Sequence, residues 1–329
     1  MGGAAVFGLI FFVGICAAAK KKKDDFTQTL ELPKDPPQVA VAETRKLVFH
    51  VSPLSGKGLL TAQTRDALRA VMKLNGGLPI IHVRAFVAGS GDVRRIPQII
   101  SEVAGERKMP LPSVSVVRAG GLPLENAQVV LETVSVAKRD VNAQGLDFIA
   151  GEAVTAEDPA SPPKPLLLKA LDQLASKVGG EAPLLVSCFV STMENPAELT
   201  AAIASRFPAA SMNLVQPRRG PFHALAVCEA IARGARVTSE RLAFTGTRVA
   251  FGAEQKDATL AFQRLDRDLA EAGAGPAGIV FSHIYPLSGP IAEMARKLRA
   301  SAEPIEIIPF EGLASIDAGF AVDAVAAVR

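Results

Sequence analysis

Three acidic side chains recur along this chain at almost equal intervals: Glu132 in VVLETVSVA, Glu229 in LAVCEAIAR and Asp323 in FAVDAVAAV. They lie 97 and 94 residues apart, and each interrupts an apolar run that ends in small residues. A cleft built near such acids needs a cation if it is to hold an anion, and four side chains can supply one: Arg118, Arg218, Arg219 and His283. Arginines beside turns are commonly solvated surface charges, which is the plain reading of the first three. His283 sits in an apolar run at the position held by Arg84 and Ser187 in the two earlier repeats. It can face a cleft or be a satisfied core histidine. The four histidines, His50, His82, His223 and His283, show no metal-ligand spacing, so no metal site is expected, and no cofactor motif stands out. Three cysteines make no disulfide framework, and Cys188 and Cys228 read as small buried hydrophobes.

What positions these groups is a unit that occurs three times. A strand-like run opens each copy, at 46–51, 146–150 and 242–245. An amphipathic helix follows, with apolar residues one turn apart: Leu68, Val71 and Met72; Leu171, Leu174, Ala175 and Val178; Phe262, Leu265 and Leu269. Each helix ends near glycine, at Gly76-Gly77, Gly179-Gly180, and Gly273 with Gly275. A buried strand comes next, at 79–87, 183–190 and 279–285. A second helix then starts at a capping residue, Asp92, Asn195 or Ser288. Two strands read as a hairpin close the copy; in the first they are 113–118 and 128–136. The copies span about 43–139, 140–236 and 237–329. Each is β-β-α-β-α-β-β, an α+β unit whose helices cover one sheet face and leave the other needing a partner.

Composition narrows the function. Hydrophobic residues are 49% of the 329, enough for a sizeable core. The net charge of +3 rests on the run Lys20–Lys23; without it 32 basic side chains face 33 acidic ones. With no tryptophan and one tyrosine, Tyr285, the body lacks both the basic excess and the stacking platform of a nucleic-acid binder. Residues 1–24 join an uncharged apolar run to those lysines. The run is just long enough to span a bilayer, and the lysines after it place the body in the cytoplasm. The alternative is a signal cleaved after the alanines at 17–19 and export of the body. Residues 25–42 read as a Pro-rich linker and not as a core element.

The segments AQTRDALRAVMKLNGG, IIHVRAFVAG and LAFTGTRVAFGAEQKDATLAFQRLDRDLAEAGAG, with the closing strands of the first copy, resemble the YjgF/RidA family. These are the reactive-intermediate deaminases, also labelled endoribonuclease L-PSP, and the resemblance covers nearly everything after residue 42. Single-unit members are homotrimers with clefts between subunits. Three units in one chain therefore imply a pseudo-trimer within one polypeptide, a monomer imitating a homotrimer. The family hydrolyses enamines and imines such as 2-aminoacrylate. Its substrate carboxylate is gripped by an arginine that follows Pro-Ala, while a glutamate on the last strand positions water.

Here Val114, Ala210 and Glu306 hold the arginine's place, and Val130, Val227 and Ala321 the glutamate's. The retained Glu132, Glu229 and Asp323 match a second acid of the family, of structural role. The resemblance thus implies a divergent member without the usual deaminase activity, able to bind a small metabolite in an inter-unit cleft or to act as a scaffold. Its rival is an active deaminase whose carboxylate anchor has moved. Arg118, Arg218 and Arg219 are the first residues to test for that role, although about 13 Å of strand separates Arg118 from Val114. A ribonuclease finds no support in charge or in any acid–base pair.

Overall fold

The structure is a computed structural model and describes residues 1–2, 33–179, 182–220, 223–234, 239–299 and 304–329. Most of the N-terminal apolar run, the lysine run, Cys16 and the first part of the proline-rich stretch lie outside the described residues. Among the described residues no helix is long and apolar enough to cross a membrane.

The chain from Pro33 onward is an α+β body. Its elements are β1 (Val39–Glu43), β2 (Leu47–Val51), α1 (Leu60–Leu74), β3 (Ile80–Val87), α2 (Arg95–Glu106), β4 (Ser113–Arg118) and β5 (Val129–Val136). There follow β6 (Leu146–Ile149), β7 (Val154–Ala156), α3 (Pro163–Val178), β8 (Pro183–Val190), α4 (Pro196–Arg206), β9 (Ser211–Val215) and β10 (Ala224–Arg233). The last are β11 (Arg241–Thr245), β12 (Arg248–Phe251), α5 (Gln255–Glu271), β13 (Ala274–Pro286), α6 (Gly289–Leu298), β14 (Ile305–Ile307) and β15 (Ala318–Val328). They make three sheets, ordered β2-β5-β3-β4, β6-β10-β8-β9 and β1-β11-β15-β13-β14, with β7 beside β10 and β12 beside β15.

Several expectations change. The two closing strands of each copy are not a hairpin: β3 lies between β4 and β5, β8 between β9 and β10, and β13 between β14 and β15. Each central strand pairs parallel with the strand reached through its helix and antiparallel with the last strand. The connection from Arg118 to Val129 is too long for a two-residue turn, and the strand apolar on both faces takes the middle. The second opening strand of the first copy is missing, because residues 52–59 carry Pro53, Gly56 and Gly58 and form none. Conversely, residues 39–42 of the linker belong to a strand, β1, which pairs with β11. Its alternating VAVA pattern explains this: Val39 and Val41 pack on the core of the third sheet. Asp92, Asn195 and Ser288 precede their helices, but no helix there receives a side-chain cap bond. Asp92 Oδ1 accepts instead from the Arg94 N–H at 3.0 Å. The helix-ending glycines Gly76, Gly77, Gly179 and Gly273 do adopt positive φ, which only glycine reaches without strain.

Side chains alternate between the two faces of each strand. One face of each sheet packs under its helices. Val83, Val87 and Leu131 meet Leu68, Ile96 and Val103 in the first core, and α3 with α4 and α5 with α6 cover the other sheets in the same way. The remaining three faces meet one another. At one level Phe86, Phe189, Tyr285 and Phe310 stack and meet edge-on, with centroids 5.3–5.8 Å apart. At another, Phe49, Phe148, Phe244 and Phe281 share a second cluster. Burying each such ring contributes about 1.5–3 kcal/mol.

Cys188 and Cys228 face each other across β8 and β10 and are joined in a disulfide. Both are buried in the core, as expected of small hydrophobes, but as a bonded pair and not as separate thiols. Strand pairing across 40 residues decides which cysteines meet, and the spacing alone does not carry it.

Candidate functional site

Between the two aromatic levels lies a polar layer, placed there by strand register. Opposite Glu132 on the ladder stands Arg84, opposite Glu229 stands Ser187, and opposite Asp323 stands His283. One rung outward stand Ser115, Asn213 and Glu306. All nine sit two residues from ring or aliphatic positions on the same faces, so the layer is flanked by apolar neighbours.

The bonds cross from sheet to sheet. Arg84 Nε donates to Glu132 Oε2 at 2.6 Å, and Nη2 reaches that oxygen at 2.5 Å and also Glu229. Ser187 and Asn213 donate to Glu132 Oε1, the latter at 2.7 Å. His283 Nδ1 is 2.8 Å from Asp323 Oδ1 and Nε2 is 3.0 Å from Glu229 Oε2. The Tyr285 hydroxyl donates to Asp323 Oδ2 at 2.9 Å. Arg84 also contacts His283 Nε2 and lies 5.1 Å above the Phe86 ring.

Burial sets the electrostatics: the Arg84 and Glu132 side chains are only 6% and 5% exposed. Burial would raise Glu229 and Asp323, but Arg84 and His283 outweigh it at Glu229, and His283 does so first at Asp323; both carboxyls fall to about 2. Burial and Arg84 press His283 toward neutrality, yet Glu229 and Asp323 prevail and raise it to about 9. Burial, reinforced by the charge of Glu229, pushes Glu306 up to about 8, so its carboxyl is protonated near neutrality. Burial lowers His82 to about 4 and keeps it uncharged. Among the described residues no His, Cys, Asp and Glu group is arranged to hold a metal ion.

The candidate residues are divided by the fold. His283 belongs to the buried layer. Arg118 closes β4, where its guanidinium donates to the carbonyls of Gly89 and Gly91 at 2.5 and 2.7 Å. Arg219 is bound to the Gly120 carbonyl at 3.1 Å and stands 3.5 Å from Glu311. Arg218 lies in the same loop, whose backbone approaches Gly120. The three arginines gather where loops of the three sheets meet, apart from His283.

The expected equivalence of Val114, Ala210 and Glu306 is corrected by register. Val114 pairs with Val83, and the matching rungs place Met212 beside Val186 and Ile305 beside Ser282. Ala210 falls before β9, and Glu306 belongs one rung further, opposite His283. None of Val114, Met212 or Ile305 is a cation. The turn between β11 and β12 also covers Val114: a Cβ on Gly246 would come within 2.7 Å of its carbonyl oxygen.

Reading along the chain finds the repeated acids and the set Arg84, Ser187 and His283, but not that the two sets are ladder partners. The parity was a usable signal, since each acid lies an even number of residues from the apolar positions that fill the shared interior.

No family model matches this chain, and no curated protein matches it by sequence. Solved structures do. A YjgF-family member from Neisseria meningitidis is 23% identical, covering 27% of this chain and 80% of its own, at a TM-score of 0.24. Another from Mycobacterium tuberculosis is 19% identical, covering 26% of this chain and 79% of its own, also at 0.24. A chorismatase is 11% identical, covering 89% of this chain and 78% of its own, at 0.45. The neighbours thus include YjgF-family structures, each similar to about a quarter of the chain.

Proposed function

We propose that residues 43–139, 140–236 and 237–329 are three divergent YjgF/RidA-like units folded as an intramolecular trimer, and that this protein binds a small molecule without hydrolysing imines. One observation carries the reading. At the rung where a carboxylate-gripping arginine would stand, the chain has Val114, Met212 and Ile305. Arg84, deep in the shared interior, is already neutralised by Glu132 and Glu229. A charge-assisted pair contributes about 1.5–3 kcal/mol, and neither an aliphatic side chain nor a neutralised guanidinium replaces it.

The test is hydrolysis of freshly generated 2-aminoacrylate and 2-iminobutyrate by the purified protein, eluting at monomer mass. The rate should match the buffer blank. A clear rate that falls on changing Arg118, Arg218 or Arg219 would instead establish a deaminase with a relocated anchor. Nucleic acid is not among the proposed partners.

The disulfide bears on location. A disulfide persists in an oxidising compartment, which favours export of the body over a membrane anchor with the body in the cytoplasm. Unfolded, unreduced protein should then show no free thiol at Cys188 or Cys228; two reactive thiols there would return the body to the cytoplasm.

A further inference from the structure

The polar layer borders a cavity of about 50 Å³. At roughly 10–15 Å³ per water centre it takes about three to five waters, or a ligand of a few non-hydrogen atoms. Phe49, Phe148, Phe244 and Phe281 supply aromatic walls, and His82, Arg84 and His283 supply polar atoms.

The hydrogen bonds favour one His82 tautomer. Ser113 Oγ lies 3.0 Å from the Phe244 carbonyl and 3.4 Å from that of Ile81, and a carbonyl can only accept, so both draw its one hydrogen. With that hydrogen on a carbonyl, Ser113 Oγ accepts from His82 Nδ1, 2.9 Å away. The lone pair is then on Nε2, for which no protein donor stands within hydrogen-bonding distance among the described residues. The imidazole is stacked on Phe244, with ring centroids 5.8 Å apart, so the direction of this acceptor is held by packing.

Arg84 provides the opposite polarity. Its Nε and Nη2 are engaged by Glu132 and Glu229. Among the described residues Nη1 meets only His283 Nε2, which already faces Glu229 Oε2. A guanidinium nitrogen carries two hydrogens, so Nη1 keeps donor capacity for an oxygen in the cavity. A carboxylate is a poor candidate for that oxygen: Glu132, Glu229 and Asp323 already bring three negative charges against Arg84 and His283. The oxygen that fits is uncharged.

We propose that this chamber binds a small, uncharged, planar amide of about three to five non-hydrogen atoms, its N–H donating to His82 Nε2, its carbonyl oxygen accepting from Arg84 Nη1, and its plane lying among the phenyl rings. The inference needs the three sheets to wall the chamber, and it stands whether or not the protein hydrolyses imines.

The probes are acetamide and acetone, molecules of like size of which only the first has an N–H. Each is titrated into the full chain and followed by ligand-observed NMR. The amide should saturate in the millimolar range and bind about tenfold tighter than the ketone, one hydrogen bond's worth. His82→Phe should remove that preference. Phe148→Trp, which fills the chamber without touching the polar atoms, should weaken both probes, and thermal unfolding of each variant checks its fold. Absence of saturable amide binding at tens of millimolar would overturn the proposal. So would equal affinities for the two probes, or amide binding unchanged in folded Phe148→Trp protein.

Discussion

Replacing Arg84 by methionine should destabilise the protein by about 3–5 kcal/mol, because it removes the counter-charge from two buried carboxylates. Glu132 and Glu229 come from different sheets, and the Arg84 guanidinium holds both. Without it they must either face each other uncompensated or take up protons. Urea unfolding at neutral pH measures the loss. Adding Glu132→Gln and Glu229→Gln to the Arg84→Met protein should recover part of it, since the residual cost is that of unpaired charge. Arg69 gives the contrast. Its pair with Asp66 is 57% exposed on each side, and Arg69→Ala should cost about 0–1 kcal/mol. An Arg84→Met loss as small as that of Arg69→Ala would mean that the polar layer does not tie the sheets together.

Glu306→Gln should flatten the alkaline side of the stability profile. The carboxyl is raised from 4.5 to about 8 in the folded chain, by burial first and then by Glu229. A raised group favours the folded state fully below its unfolded pKa. That contribution is lost as pH rises through the folded value, so here it fades between about pH 4.5 and 8. Glutamine keeps the shape and has no proton to lose. The variant should therefore gain on wild type as pH rises from 5 to 8.5, by on the order of 3 kcal/mol. His283, raised to about 9, loses its own contribution as pH climbs from 6.5 to 9. Glu229 and Asp323, lowered to about 2, lose theirs as pH falls below about 4. These terms occur in both proteins and largely cancel in the difference. A gap that stays constant between pH 5 and 8.5 would show that Glu306 is ionised throughout.

Local pattern went a long way for this protein. Period-3.6 spacing around Leu68, Leu171 and Leu265 marked helices that do bury those residues. The α+β class and the threefold recurrence of Glu132, Glu229 and Asp323 were legible because a buried face needs apolar residues at fixed intervals along one segment.

Decisions that join distant segments were not legible. That β3 separates β4 from β5, and that β1 joins β11, depends on which edges find partners. That Cys188 meets Cys228 is set by register over 40 residues. The polar layer belongs to the same class: sequence placed an acid in each repeat and a variable partner in each central strand, and only packing three sheets face to face brought Arg84 between Glu132 and Glu229. A one-residue slip along a strand reverses which face a side chain occupies. The chemistry of this interior was therefore decided by tertiary register, while the sequence by itself determined the elements that carry it.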